Sequence, residues 1–79
     1  MKRPRDLSGR RLADCLCRDW NYRLVHQVGS HIILETLIPE RQRMVVPDHR
    51  ALRIGTLSAI LRAVAEHKSV PRQRLLDSL

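Results

Sequence analysis

The sequence predicts a small α+β domain, one helix followed by a three-stranded antiparallel sheet and two further helices, on three observations. Apolar residues recur at helical spacing near the start, alternate with a period of two from Tyr22 to Val46, and then return to helical spacing. Short corners at Gly29-Ser30 and Pro39-Glu40 separate the strand-like runs, so consecutive strands pair antiparallel as a meander. A chain of 79 residues supplies one thin core and no second domain.

Residues 1–7 are charged and include Pro4, which predicts a flexible basic arm ahead of a single domain over 8–79. Ser8 is a helix N-cap candidate, and Leu12, Cys15, Leu16 and Trp20 form an apolar stripe on a helix ending near Asp19. Arg10, Arg11, Asp14 and Arg18 occupy its other face. In the first strand Tyr22, Leu24, His26 and Val28 alternate with Arg23, Val25 and Gln27, which predicts that the first set shares one buried face and that His26 is partly buried and inert. His31 to Leu37 make a β-branched second strand and Gln42 to Val46 a third, stopped by Pro47. Thr56 is the expected cap of the next helix, whose stripe is Leu57, Ile60, Leu61, Val64 and Ala65 and whose end near His67-Lys68 suits the helix dipole. Ser69 and Pro71 are expected to start a last short helix that packs Leu75, Leu76 and Leu79 back. With both main helices on one face of the sheet, the layout is that of a double-stranded RNA-binding domain.

Charge narrows the function classes. Fifteen basic against eight acidic residues give a net +7, and thirteen of the fifteen are arginine, whose guanidinium forks suit phosphate and carboxylate. A polyanionic partner follows, such as nucleic acid or an acidic protein surface. Trp20 and Tyr22 are the only aromatics, which disfavours sheets that stack bases on aromatic platforms. Cys15 and Cys17 point in different directions around a helix and cannot pair within it; the first reads as core and the second as a partly exposed thiol, as in a reducing cytoplasm. The four histidines match no zinc spacing, and no cofactor or metal is expected. No apolar run is long enough for a membrane helix, so a cytoplasmic, unprocessed chain is expected.

Gly29-Ser30-His31 carries the chemistry. If Ile32 and Leu34 face the helices, His31 faces outward beside a tight turn, and imidazole exchanges protons near neutral pH. Attack of a ribose 2′-hydroxyl on its phosphate needs one proton removed and another delivered to the leaving 5′-oxygen, which His31 can serve without a metal. Ser30 can donate a hydrogen bond to the phosphorane, and backbone N–H groups at Gly29 can stabilise its charge. Arg10, Arg11, Arg23 and Arg43 are the candidate RNA contacts, with Arg50 and Arg53 in reserve. His49 is read as structural in its loop, and His67 as a dipole partner.

These residues make the chain resemble the HicA toxins, bacterial mRNA interferases of toxin–antitoxin pairs, over residues 7 to 68. The anchors are Leu7-Ser8-Gly9, Gly29-Ser30-His31, and Pro47-Asp48-His49 followed by Gly55-Thr56-Leu57 and Ile60-Leu61. The resemblance implies metal-independent endoribonuclease activity on mRNA, a catalytic role for His31, and a HicB-like antitoxin that masks the active surface. Ile32 stands where many relatives carry a second histidine, and a catalytically silent RNA-binding module of the same fold is the second reading. A basic adaptor for an acidic protein is the third.

Overall fold

Ser8 sets the first helix as its spacing predicts: its backbone is extended and its Oγ accepts the Arg11 N–H at 3.0 Å, capping α1 (Gly9–Asp19). The computed structural model describes residues 7–79, so the expected arm lies outside the described residues except for Leu7. Leu7 is no arm residue. It is buried in the core, and its carbonyl accepts the Leu52 N–H at 2.8 Å.

The strands β1 (Arg23–Val28), β2 (His31–Thr36) and β3 (Gln42–Pro47) form one antiparallel sheet in the order β1-β2-β3. Ile32, Leu34 and Val46 are fully buried against Leu12 and Leu16 of α1, and the same cluster takes in Val64 and Leu75 from the helices that follow. His31 is exposed on the other face. The fold is therefore the expected α-β-β-β-α-α with an open sheet.

The phase of β1 differs from the expectation. A bulge between Leu24 and His26 inserts Val25, so Leu24 pairs with Leu34 on the helix side while His26 pairs with Ile33, and Val28 with His31, on the open side. One extra residue flips every side chain that follows it. His26 is accordingly exposed rather than partly buried, Val28 is 55% exposed, and Leu24, at the sheet edge, is 50% exposed.

The second helix, α2 (Ile54–Lys68), begins after Arg53, which makes no side-chain cap, and Thr56 lies inside the first turn instead of capping it. Leu57, Ile60, Leu61 and Val64 are buried as the stripe predicts. Ser69 ends this helix rather than starting the next: at φ 56° it is left-handed, and its N–H turns back to Ala65 and Glu66. The last helix, α3 (Arg72–Ser78), follows Pro71 and buries Leu75, with Leu76 and Leu79 partly buried against the core.

Candidate functional site

Leu7-Ser8-Gly9, Gly29-Ser30-His31 and the Pro47-Asp48-His49 part of the third anchor, far apart in the chain, meet at one place. Gly29 has φ 58° and Ser30 does not share the left-handed region, so glycine occupies the first central position of a two-residue hairpin. The hairpin is tied down from both sides: Gln27 Nε2 donates to the Gly29 carbonyl at 3.0 Å, and the Asp48 N–H donates to the Ser30 carbonyl at 2.6 Å. The start of α1 closes on the same segment, with the Gly9 N–H donating to the His49 carbonyl at 2.9 Å. A Cβ at position 9 would lie 1.7 Å from the Pro47 carbonyl oxygen, so only glycine allows that approach.

Side chains complete the junction. Arg10 Nη2 donates to Gln27 Oε1 at 2.7 Å and to Asp48 Oδ2 at 3.1 Å, and Gln27 Nε2 donates to the same Asp48 oxygen at 2.9 Å. This closed triangle holds a half-exposed guanidinium beside the turn that leads into His31. His31 pairs with Val28 and Pro47, stands exposed, and has no side-chain hydrogen bond among the described residues.

On the open face the pairs stack in rows: Val28, His31 and Pro47; then His26, Ile33 and Val45; then Arg23, Glu35 and Arg43. The third row sits four residues along β2 from His31, roughly 13 Å. There Glu35, its side chain 8% exposed, accepts from Arg41 Nε at 2.8 Å, Arg43 Nε at 3.3 Å and Arg23 Nη2 at 3.5 Å. Hydrogen bonds from Arg41 first and Arg43 next hold the Glu35 carboxyl below the ordinary carboxylate range, partly offset by its burial. Three guanidinium groups share one carboxylate, and Arg41 and Arg43 each reach it through Nε, with no hydrogen bond from their terminal nitrogens among the described residues. The row therefore keeps an excess of positive charge and free donors suited to a phosphate.

Among the residues singled out from the sequence, Gly29, Ser30 and His31 gather at the hairpin, with Arg10 behind it on the helix side where it bonds Gln27, while Arg23 and Arg43 lie at the far end of the face that carries His31. Arg11 joins neither group: it borders a depression lined by Asp14, Cys15, Arg18, Ser78 and Leu79. His49 is exposed and contributes its carbonyl, and His67 Nε2 contacts the Glu40 carbonyl at 2.8 Å. Sequence reasoning missed Gln27, Asp48, Glu35 and Arg41. The tight hairpin offered one signal, since pairing Val28 with His31 carries Arg23 toward Glu35 once a bulge is allowed.

Comparison with protein-family profiles, with characterised proteins and with solved structures yields no match to this chain. No helix among the described residues is long and apolar enough to cross a membrane. Nor does any group of three His, Cys, Asp or Glu side chains among them come together as metal ligands.

Proposed function

We propose that the chain is a cytoplasmic HicA-like endoribonuclease that cuts mRNA by metal-independent transesterification and is restrained by a HicB-like antitoxin. The observation that carries the reading is the exposed His31 imidazole, beside a hairpin on which Leu7-Ser8-Gly9 and Pro47-Asp48-His49 converge. In the reaction the imidazole exchanges protons with the 2′-hydroxyl and the leaving 5′-oxygen. The 2′-oxygen forms its bond to phosphorus as the bond to the 5′-oxygen breaks, giving a 2′,3′-cyclic phosphate and a 5′-hydroxyl.

The remaining parts support the same strand path. The Ser30 hydroxyl stands at the hairpin to stabilise charge on the phosphorane, while Arg10, pre-oriented by Gln27 and Asp48 behind the hairpin, takes an adjoining phosphate of the same RNA. Arg23, Arg41 and Arg43 take a neighbouring phosphate at the far end of β2. Val28 at 55% and Val45 at 51% exposure leave an apolar floor around His31 that an inhibitor would cover.

His31→Ala tests the reading. The wild-type chain is expected to arrest growth on induction and to cleave RNA in vitro, while the variant binds RNA and cleaves it roughly 10²- to 10⁴-fold more slowly. Equal behaviour of the two proteins, both binding without cleaving, would establish the silent RNA-binding module instead.

A further inference from the structure

We infer that His26 is a second proton-transfer group, acting with His31 across the open sheet face, an assignment that rests on the ribonuclease reading above. The chemistry asks for two transfers on opposite sides of phosphorus: a proton leaves the 2′-oxygen and another arrives at the 5′-oxygen. A lone imidazole must do both in turn, whereas two imidazoles flanking the phosphate do them together.

The bulge at Val25 brings His26 to that face. Without it, strict alternation would turn His26 toward the helices alongside Leu24; with it, His26 pairs with Ile33, whose neighbour two residues back on the same face is His31. The two histidines are thus diagonal partners on adjacent strands, roughly 7–8 Å apart between backbones. That spacing leaves room for one phosphate with an imidazole at each apical oxygen. Both rings are exposed, and neither has a side-chain hydrogen bond among the described residues. Ile33 and Val45 form the floor beside them. The nearest charged row on this face is Glu35 with Arg23, Arg41 and Arg43, while Arg10 and Asp48 lie behind the hairpin. Bulges commonly re-aim a side chain next to a working site, which is what this one does.

In the step, one histidine enters neutral and takes the 2′-hydroxyl proton as the 2′-oxygen to phosphorus bond forms. The other enters protonated and gives its proton to the 5′-oxygen as that bond breaks. Exchange with solvent restores both.

The test is the pH dependence of kcat/KM on a short single-stranded RNA oligonucleotide carrying a fluorophore and a quencher, with the all-2′-deoxy version as blank. The wild type is expected to show a bell, and His26→Ala to lose one limb and roughly 10²- to 10⁴-fold of the rate. His31→Ala loses the other limb, and the double variant is far less impaired than the product of the two single losses, because the pair works as a unit. Urea midpoints of the variants, matching the wild type, exclude a folding effect. If His26→Ala cleaves like wild type with both limbs intact, the assignment of His26 is overturned while His31 keeps its role. If the wild type itself fails to cleave RNA, the ribonuclease reading falls and His26 falls with it.

Discussion

Adding the same methyl group at two glycines should move stability in opposite directions. At Gly9 a Cβ would sit 1.7 Å from the Pro47 carbonyl oxygen and 2.8 Å from its carbon, both backbone atoms that no rotamer change can clear. Reaching even a 3.0 Å approach forces α1 and the Pro47 segment about 1.3 Å apart. That displacement stretches the 2.9 Å bond from the Gly9 N–H to the His49 carbonyl beyond hydrogen-bonding range. Overpacking costs about 1–3 kcal/mol, and a lost backbone bond about 1 kcal/mol more. The better helix propensity of alanine returns just under about 1 kcal/mol, for a net loss of about 1–3 kcal/mol. Gly55, in the first turn of α2, has nothing within 4 Å of the added carbon, so Gly55→Ala should gain about 0.5 kcal/mol by restricting the unfolded chain. Urea denaturation of the two variants beside wild type reads both signs in one experiment. A Gly9→Ala midpoint equal to or above wild type would refute the close approach and the convergence of anchors built on it.

Ser8→Ala removes the α1 cap, and its thermal midpoint should reflect a loss of about 1 kcal/mol. The depressed Glu35 carboxyl adds stability that is complete above the unfolded carboxylate range near pH 4.3 and is lost as pH falls through that range toward the lower folded value; stability against pH for Glu35→Gln should show a flatter acid limb than wild type. Replacing Arg41 and Arg43 together by alanine should weaken single-stranded RNA binding and flatten its salt dependence by roughly 0.7–1 unit of slope per arginine. The same double change at Arg18 and Arg62, each beside its own carboxylate, serves as the control of equal charge and should leave the slope unaltered.

Much of the fold was legible because local signals agreed with tertiary packing. The cap at Ser8, the stripe through Leu12 and Leu16, and the alternation that turns Ile32 and Leu34 inward all report burial against a single core. Where reading failed, a non-local fact decided. The Val25 bulge is invisible in a run that alternates well on paper, so His26 and Val28 look buried although the bulge turns them to the open face, and Leu24 on the helix side is half exposed because β1 is an edge strand. Thr56 has the chemistry of a cap, but the helix winds back to Arg53. Leu7 looks like part of a charged arm until the Leu52 loop folds over it. For the site, single residues such as His31 were readable because a turn beside a strand fixes which way the next side chain points. Groupings were not: Arg41 comes from the loop before β3 and reaches Glu35 only because β2 and β3 are in register, and Asp48 reaches Arg10 only through the closure of α1.

This arrangement separates the residues that hold the molecule together from those assigned to chemistry. The helix-facing side carries the buried core and the glycine contact, so damage there lowers stability and takes activity with it. His26 and His31 are exposed on the open face without side-chain hydrogen bonds among the described residues, and exposed substitutions of that kind shift stability by about 0.5 kcal/mol or less. Inactive variants should therefore fall into two groups on a plot of activity against urea midpoint. Gly9 and core substitutions should descend along both axes together, whereas His26 and His31 substitutions should drop in activity alone. A histidine variant that unfolds as readily as Gly9→Ala would mean the imidazole supports the fold, and its loss of cleavage would no longer speak for proton transfer.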